Sequence, residues 1–254
     1  MITKRIEDQI VIVTLSNGKT NAITAQTLES LHDVIKEVNF DDSLKGIILT
    51  GEGKFLSSGF DLPMFLSFKD LEDVIDFFQM EEEVLTDLFI CKKPVICAIN
   101  GHSVAGGLIF SMACDYRIVK NHPKIKIGMS EIKIGLPLSI AQHAVVRFSM
   151  DSDKNFRNLL YFGEMVDINK AKELHIIDEI VEEDQLIPRA KQLVSLWIDT
   201  PNRPFIPIKY RLKIDTVKQI RQALKEENWQ QPLECFFQDD VRRTLEFVQK
   251  SMLA

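Results

Sequence analysis

The sequence lacks several features that would have narrowed its function at once. It has no excess of positive charge, since 31 Lys and Arg stand against 37 Asp and Glu for a net charge of −6. That balance excludes general affinity for nucleic acid, so an anionic ligand would have to be met by individually placed cations. Cysteine is scarce. Cys91, Cys97, Cys114 and Cys235 sit in apolar contexts without metal-ligand spacing, which predicts buried, reduced thiols in a cytoplasmic protein, with no metal site. The opening "MITKRIEDQIVIV" has no long apolar core of the kind a secretory signal needs. Glycine and proline are few, at 11 and 9, and there is no internal repeat or low-complexity tract, which excludes collagen-like, disordered and solenoid classes. The 21 residues between Lys93 and Asp115 carry no formal charge and match a membrane span in length. Pro94, Asn100, Gly101, His102, Ser103, Gly106 and Gly107 break that run into a strand, a turn and a short helix, so no membrane partner is expected. What remains is a chain with 45% hydrophobic and 27% charged residues, the composition of a globular fold with a large core.

Hydrophobic periodicity places strands and helices in alternation. "KRIEDQIVIVTL" reads as two strands turning at Glu7-Asp8. A helix is predicted from about Thr24 to Asn39, with Thr24 as N-cap and Leu28, Leu31, Ile35 and Val38 on one face. "LKGIILTG" and "KPVICAIN" read as buried strands, and "KDLEDVIDFFQMEEEVLTDLFICK" as an amphipathic helix between them. "EGKFLSSGFDLPMF" reads as a loop entering a short helix. Gly106 to Cys114 is a short apolar helix, followed by the strand "DYRIVK". The last 70 residues read as helices over about Asp184–Asp199, Pro207–Glu226 and Pro232–Ser251, the last starting on a proline suited to a first turn. The pattern predicts an α/β fold closed by a helical C-terminal region.

"NGHSVAGG" is where chemistry enters, and it reads in two ways. A Gly-x-Ser-x-Ala turn between strand and helix can expose a nucleophilic serine, here Ser103. That device needs a histidine late in the chain, and His175, the last one, is followed by a long helical stretch. No His-Gly-Gly-type segment precedes the serine either. Alternatively the backbone acts. The stretch "KFLSSGFDLPMF" is a second strand exit with a small-residue turn, built on Ser58 and Gly59. Phe60 from this turn and Gly106 from the other can each offer an N–H to one carbonyl oxygen, forming an oxyanion hole. Gly59, Gly106 and Gly107 allow the backbone to approach closely, and the helix dipole from Gly106 adds to the field.

These segments together resemble the crotonase (enoyl-CoA hydratase/isomerase) superfamily. "KPVICAINGHSVAGGLIFSMACDYRI" is similar to that family's "KPVIAAVNG…GGG…CD". "GIILTGEGKFLSSGFDL" is similar to "…TG…FSAG…D", "YFGEMVDINKAKELHIIDEIV" to "LTG…A…A…GLVD.VV", and "LEFVQK" to "AFVEK". They occur in family order from about residue 5 to 250. The resemblance implies a ββα spiral core over 1–195 and a helical trimerisation region over 196–254. It implies an acyl-CoA thioester as substrate, with coenzyme A as part of that substrate and no prosthetic group, and a homotrimer or a hexamer of two trimers. Phe60 and Gly106 N–H groups would stabilise a thioester enolate.

The resemblance also bears on the acid and base. Family hydratases hold a water between two glutamates. The position of the first is Ile109 here. The second matches Glu131 in "MSEIKIG", flanked by the apolar Met129, Ile132 and Ile134, surroundings that raise a carboxylate pKa. One glutamate without a partner is the arrangement of the Δ3,Δ2-enoyl-CoA isomerases, and "SSGFDL" is closer to the isomerase "SAGLDL" than to the hydratase "AAGADI". The hydratase "PGAGG" is replaced by Pro137-Leu138-Ser139-Ile140-Ala141. The expected activity is isomerisation with Glu131 as base. Hydration, another crotonase reaction such as decarboxylation or thioester hydrolysis, a non-catalytic acyl-CoA-binding subunit and a serine hydrolase stand as alternatives. Ile109, Met64, Phe65 and Leu136 either line the acyl pocket or belong to the core. Asp61 reads as a helix cap beside the oxyanion turn. Ala22 and Lys19 in "NGKTNAI", together with Lys54, are candidate contacts to coenzyme A. The resemblance adds Phe247 and Lys250 from a neighbouring subunit.

Overall fold

The N-terminal hairpin forms where the alternation predicts it, β1 (Ile2–Glu7) antiparallel to β2 (Ile10–Leu15). Asp8 and Gln9 turn the chain between them, both at positive φ. In this computed structural model, residues 1–253 are described, with side chains through 251. The helix α1 (Ala25–Phe40) returns the chain, N-capped by the Thr24 side chain as expected. β3 (Gly46–Gly51) lies parallel to β2, and β5 (Val95–Ile99) and β7 (Tyr116–Lys120) extend the sheet. With β10 (Glu179–Val181) they form a six-stranded sheet in the order β1-β2-β3-β5-β7-β10.

The inner strands are covered on both faces and therefore read as unbroken apolar runs. Along β2, Ile10 and Ile12 face one layer while Val11, Val13 and Leu15 face the other. Ile10, Ile12, Ile48, Ile96, Ala98 and Ile118 bury against Leu186, Ala190, Leu193, Val194 and Ile198 of α8 (Leu186–Ile198). On the opposite face lies the main core, built with α1, α3 (Leu71–Ile90), α4 (Gly106–Ala113) and α5 (Ile140–Ser149). A boundary at 195/196 thus falls inside α8, whose apolar face stays on the sheet to Ile198.

A second sheet, in the order β4-β6-β8-β9, is made of very short strands: β4 (Phe55–Ser57), β6 (His102–Val104), β8 (Ile127–Gly128) and β9 (Met165–Val166). After β4 comes α2 (Leu62–Ser67), and after α5 come α6 (Asp153–Phe162) and α7 (Ile168–Glu173). Then α9 (Phe205–Glu226) crosses back over the core. The expected continuous helix from Pro232 to Ser251 is instead two pieces. A 3-10 segment, Gln231–Phe237, ends at extended Gln238, and α10 (Asp239–Leu253) starts afresh with two acids in its first turn, where the helix dipole favours them. No helix among the described residues is long and apolar enough to cross a membrane. Cys91, Cys97 and Cys114 are buried free thiols as expected, but Cys235 is only half-buried.

α9 is fastened by charge. Asp115, directly after α4 and Cys114, accepts from Lys209 Nζ at 2.6 Å, from Lys213 Nζ at 2.7 Å and from the Val95 N–H at 2.9 Å. Both lysines are 4% exposed. Burial pushes the Asp115 carboxyl up, but the two ammonium groups outweigh it and hold the pKa below its usual value. Burial also lowers Lys213 to about 8. Removing one partner of such a group leaves an uncompensated buried charge. Asp115→Ala is therefore expected to cost about 3–5 kcal/mol, measured as a drop in the urea midpoint. A change under about 1 kcal/mol would mean that the buried group behaves like a surface ion pair.

Candidate active site

The site rests on two strands that pattern reading left inside loops. β4 and β6 pair in parallel, Phe55 opposite His102 and Ser57 opposite Ser103, so the turns leaving them lie side by side. The glycines mark the contact. A Cβ on Gly59 would sit 2.9 Å from Ala105 Cβ and 3.0 Å from Gly106 N. One on Gly106 would meet the Phe60 ring at 3.2 Å, and one on Gly107 would meet Ser57 O at 2.5 Å. Gly59 also holds φ +98, a conformation that disfavours any side chain.

Both candidate N–H groups are free. Phe60 forms an isolated parallel bridge with Ile23. The bridge is made by Ile23 N–H to Gly59 O at 2.8 Å and Asp61 N–H to Ile23 O at 3.0 Å, so it uses the groups flanking Phe60 and leaves Phe60's own N–H unengaged. Gly106 opens α4, where the first N–H groups have no intrahelical acceptor, and Ala105 provides no side-chain cap. Among the described residues neither N–H has a hydrogen-bond partner. Ala105 is held at φ 51, ψ −128, a sparsely populated region for a residue with a side chain. Its N–H to Gly128 O bond of 2.9 Å ties the turn to β8. Two such donors side by side suit a carbonyl oxygen that gains negative charge.

Glu131 opens a 3-10 turn, Glu131–Ile134, closed by Gly135 in the left-handed conformation and by Leu136 N–H to Glu131 O at 3.1 Å. The residue keeps part of its surface, yet its Oε2 is enclosed and has no partner. Loss of water raises the carboxyl to about 7, only partly offset by the N–H groups of Ser130 and of Glu131 itself. Of the three expected apolar neighbours, Met129 is buried, but Ile132 is 52% exposed. A 3-10 turn advances each residue by a third of a turn, and Ile132 points outward over Gly163. Ile109 is fully buried on α4, three residues past Gly106. Leu136 is buried and Met64 half-buried on α2.

Asp61 caps α2 through Met64 N–H at 2.8 Å, the role its position predicts. Residues 20–23 run alongside 58–61, with Ser58 N–H bonded to Thr20 O at 2.9 Å, which places half-buried Ala22 beside the first turn. Lys19 and Lys54 are exposed near the same edge. α10 lies on its own chain's α2 and Glu131 turn. Arg242 donates to Leu66 O at 2.9 Å, and Val241 covers Gly135. Phe247 is 71% exposed and Lys250 is exposed further along α10. Ser103 is fully buried, its Oγ 3.1 Å from Ser111 Oγ. With no access and, among the described residues, no histidine hydrogen-bonded to it, Ser103 is not placed to act as a nucleophile, and the serine-hydrolase reading falls.

Sequence reasoning missed several buried polar residues, Asn21, Glu81 and Glu82 among them. Asn21, 1% exposed and at positive φ, donates to Glu52 O and Phe55 O and accepts from Asn17 N–H, shaping the loop beside the first turn. Glu81 and Glu82 are buried in the middle of α3. Their signal was present, because both fall on the apolar stripe of that helix, one turn past Phe77 and Phe78. Elsewhere, His32, Glu83 and Asp87 bring their ligand atoms within 4.8 Å of one another. His32 Nε2 lies 3.0 Å from Asp87, and Arg221 approaches the same carboxylate at 3.9 Å, so the group is accounted for as a polar cluster joining α1, α3 and α9.

The fold is shared with human mitochondrial delta3-delta2-enoyl-CoA isomerase, at a TM-score of 0.90 with 20% identity, covering 99% of this chain and 97% of that one. It is shared too with an enoyl-CoA hydratase from Bacillus halodurans, at a TM-score of 0.84 and 23% identity over 97% and 99% of the two chains. These likenesses define a crotonase fold. The enoyl-CoA hydratase/isomerase family model matches residues 5–251, and the chain belongs to that family. In sequence it is 26% identical to enoyl-CoA delta isomerase 1, mitochondrial, of Rattus norvegicus over 205 residues, 80% of this chain and 70% of that protein. It is 27% identical to a probable enoyl-CoA hydratase of Bacillus subtilis, over 78% of this chain and 76% of that protein.

Proposed function

We propose that this protein converts a 3-enoyl-CoA thioester to the 2-enoyl isomer. The observation that carries this reading is the enclosed, unpartnered carboxylate oxygen of Glu131, with a fully buried isoleucine at 109, the position that resemblance to the hydratases gives to their other glutamate. Phe60 N–H and Gly106 N–H donate to the thioester oxygen. Glu131 takes a proton from C2, the C–H electron pair becomes the C1–C2 double bond, and negative charge collects on the oxygen held by the two donors. The charge then returns: the C3–C4 double bond takes the proton from Glu131 at C4 while C2–C3 becomes double. The proton leaves and returns on one carboxyl, so no second acid is required. Adding water would need a second polar group to orient it, and Ile109 offers none.

Coenzyme A enters as part of the substrate, with Lys19 and Lys54 as contacts for its phosphates. Assembly as a trimer or a dimer of trimers is supported by the apolar surface of α9, where Ile208 and Leu212 are 63% and 65% exposed. Bacterial relatives of the hydratase kind support a cytoplasmic setting. Incubating the protein with 3-enoyl-CoA and, separately, with 2-enoyl-CoA tests the reaction. Formation of the conjugated thioester from the first, with no 3-hydroxyacyl-CoA from the second, is the expected result, and hydration as the faster reaction would overturn it.

A base must be ionised to accept a proton. With its carboxyl raised to about 7, Glu131 is protonated and inactive in acid and becomes competent as pH rises. Activity per substrate encounter, kcat/KM, is expected to climb tenfold per pH unit below about 7 and level off above it. A profile already flat from pH 5 would mean an ordinary, solvated carboxylate is the base.

A further inference from the structure

Glu81 and Glu82 are 0% and 1% exposed on α3, an unusual fate for glutamates. Each is half-satisfied by the start of α5. Ser139 Oγ donates to Glu81 Oε2 at 3.3 Å, and Ala141 N–H donates to Glu82 Oε2 at 2.7 Å. The other oxygen of each, Oε1, has no partner. Nor do Thr86 Oγ1, one turn further along α3, and Gln142 Nε2 by hydrogen-bond geometry, although the Gln142 amide lies close enough to Glu81 to offset part of the effect of burial on its carboxyl. Thr86 is 4% exposed and Gln142 2%. So four of the six unpartnered buried side-chain atoms among the described residues lie in one place. Burial pushes both carboxyls up, Glu81 well above the usual range. Buried polar atoms are normally paired, and an unpaired group costs the full loss of its hydration.

The cluster adjoins the site just described on two sides. Phe77 and Phe78, one turn earlier on the same face of α3, pack on the Phe60 ring with centroids 5.4 and 6.2 Å away. Ser139 ends the segment that begins at Glu131. On its other side, Glu82 and Thr86 line an open cleft of about 500 Å³ between α3 and α9, with Asp87, Arg221 and Trp229 at its walls.

We propose that Glu81, Glu82, Thr86 and Gln142 form a polar subsite for the acyl group, and that the substrate's acyl chain carries a hydroxyl group which they bind. The inference rests on the acyl-CoA reading above. The unpartnered atoms include acceptors and a donor, the Gln142 amide. A hydroxyl both donates and accepts, whereas an ammonium offers donors alone. A site built to hydrogen-bond a hydroxyl discriminates strongly against the chain that lacks it.

The test compares acyl-CoA thioesters of one chain length, unsubstituted, hydroxylated at successive carbons, or bearing an amine there. Binding of the saturated forms is followed by calorimetry and turnover of the 3-enoyl forms by absorbance. One hydroxylated chain is expected to bind about tenfold or more tightly than the plain one. Thr86→Val, a change of shape-matched size, should cut that preference several-fold. Glu81→Leu should cut it further. Equal affinity across the hydroxylated series overturns the subsite, as does tighter binding of the amine. If the hydroxyl preference holds and no 3-enoyl thioester is isomerised, the subsite stands and the isomerase reading fails. Isomerisation without any preference is the reverse case.

Discussion

Glu131→Gln is expected to lower kcat for 3-enoyl-CoA isomerisation by about 10²- to 10⁴-fold, with affinity for a saturated acyl-CoA little changed. Glutamine has the size and shape of the glutamate but cannot accept a proton at any working pH, so the substitution removes one chemical property and keeps the packing of the 3-10 turn. The effect should be large because the carboxyl is the one proton carrier in the proposed cycle, used at C2 and again at C4. Its environment suits that double duty in the proposed cycle. A carboxylate at its ordinary pKa is too weak a base to draw a proton from carbon, and enclosure of Oε2 raises it to about 7, near the optimum for a group that must both take and return a proton. Steady-state turnover and calorimetry on the same preparation separate the two effects. Loss of binding along with turnover would make Glu131 a structural residue, and retention of turnover would remove it from the chemistry.

Gly59→Ala should lower kcat/KM by about 10²- to 10³-fold, with the protein still folded. The methyl group would lie 2.9 Å from Ala105 Cβ and 3.0 Å from Gly106 N, closer than such contacts occur, so the two turns must separate. Separation moves the Phe60 and Gly106 N–H groups apart, and a hydrogen bond aimed at a transient oxygen is worth little once misplaced. Backbone strain at φ +98 adds a stability cost of order 1–3 kcal/mol. A control isolates the catalytic part. Gly18 also has positive φ, at +64, but a Cβ there meets nothing within 4 Å. Gly18→Ala therefore carries strain without the collision, and its kcat/KM should match the parent. Equal losses in both variants would assign the effect to strain alone.

Much of this site is visible in the amino-acid sequence, and what is hidden has a physical pattern. The long elements declare themselves through periodicity: α1, α3 and the buried strands β2, β3 and β5 bury faces with regular spacing, so the sequence must repeat there. Glycines 59, 106 and 107 were legible because close backbone approach leaves a chemical trace. β4, β6, β8 and β9 were not, for strands of two or three residues are too short to show a period and form only because a neighbouring strand completes their hydrogen bonds. The break at Gln238 was lost for the same reason: the apolar spacing continues through it, and only the local hydrogen bonding stops. Glu81 and Glu82 show the opposite failure. In "QMEEEVL" three glutamates look like a solvated face, and only the register of α3 reveals that two of them point inward. The partners of Asp115 were invisible as well, since no local rule connects it to Lys209 and Lys213, about a third of the chain later.

That last connection bears on how the molecule comes into being. Asp115 follows the helix that begins at Gly106, so one of the two facing glycine turns sits on an element whose far end is a buried carboxylate. Its two counter-charges lie 94 and 98 residues downstream. On the ribosome, all ten strands and the first eight helices can emerge while that carboxylate still has no ammonium to meet, and water has to keep it company. The core therefore closes late, when α9 arrives. A chain cut short before Lys209 does not lose an ornament at its end; it keeps an open wound at its centre, at the foot of the helix that Gly106 opens.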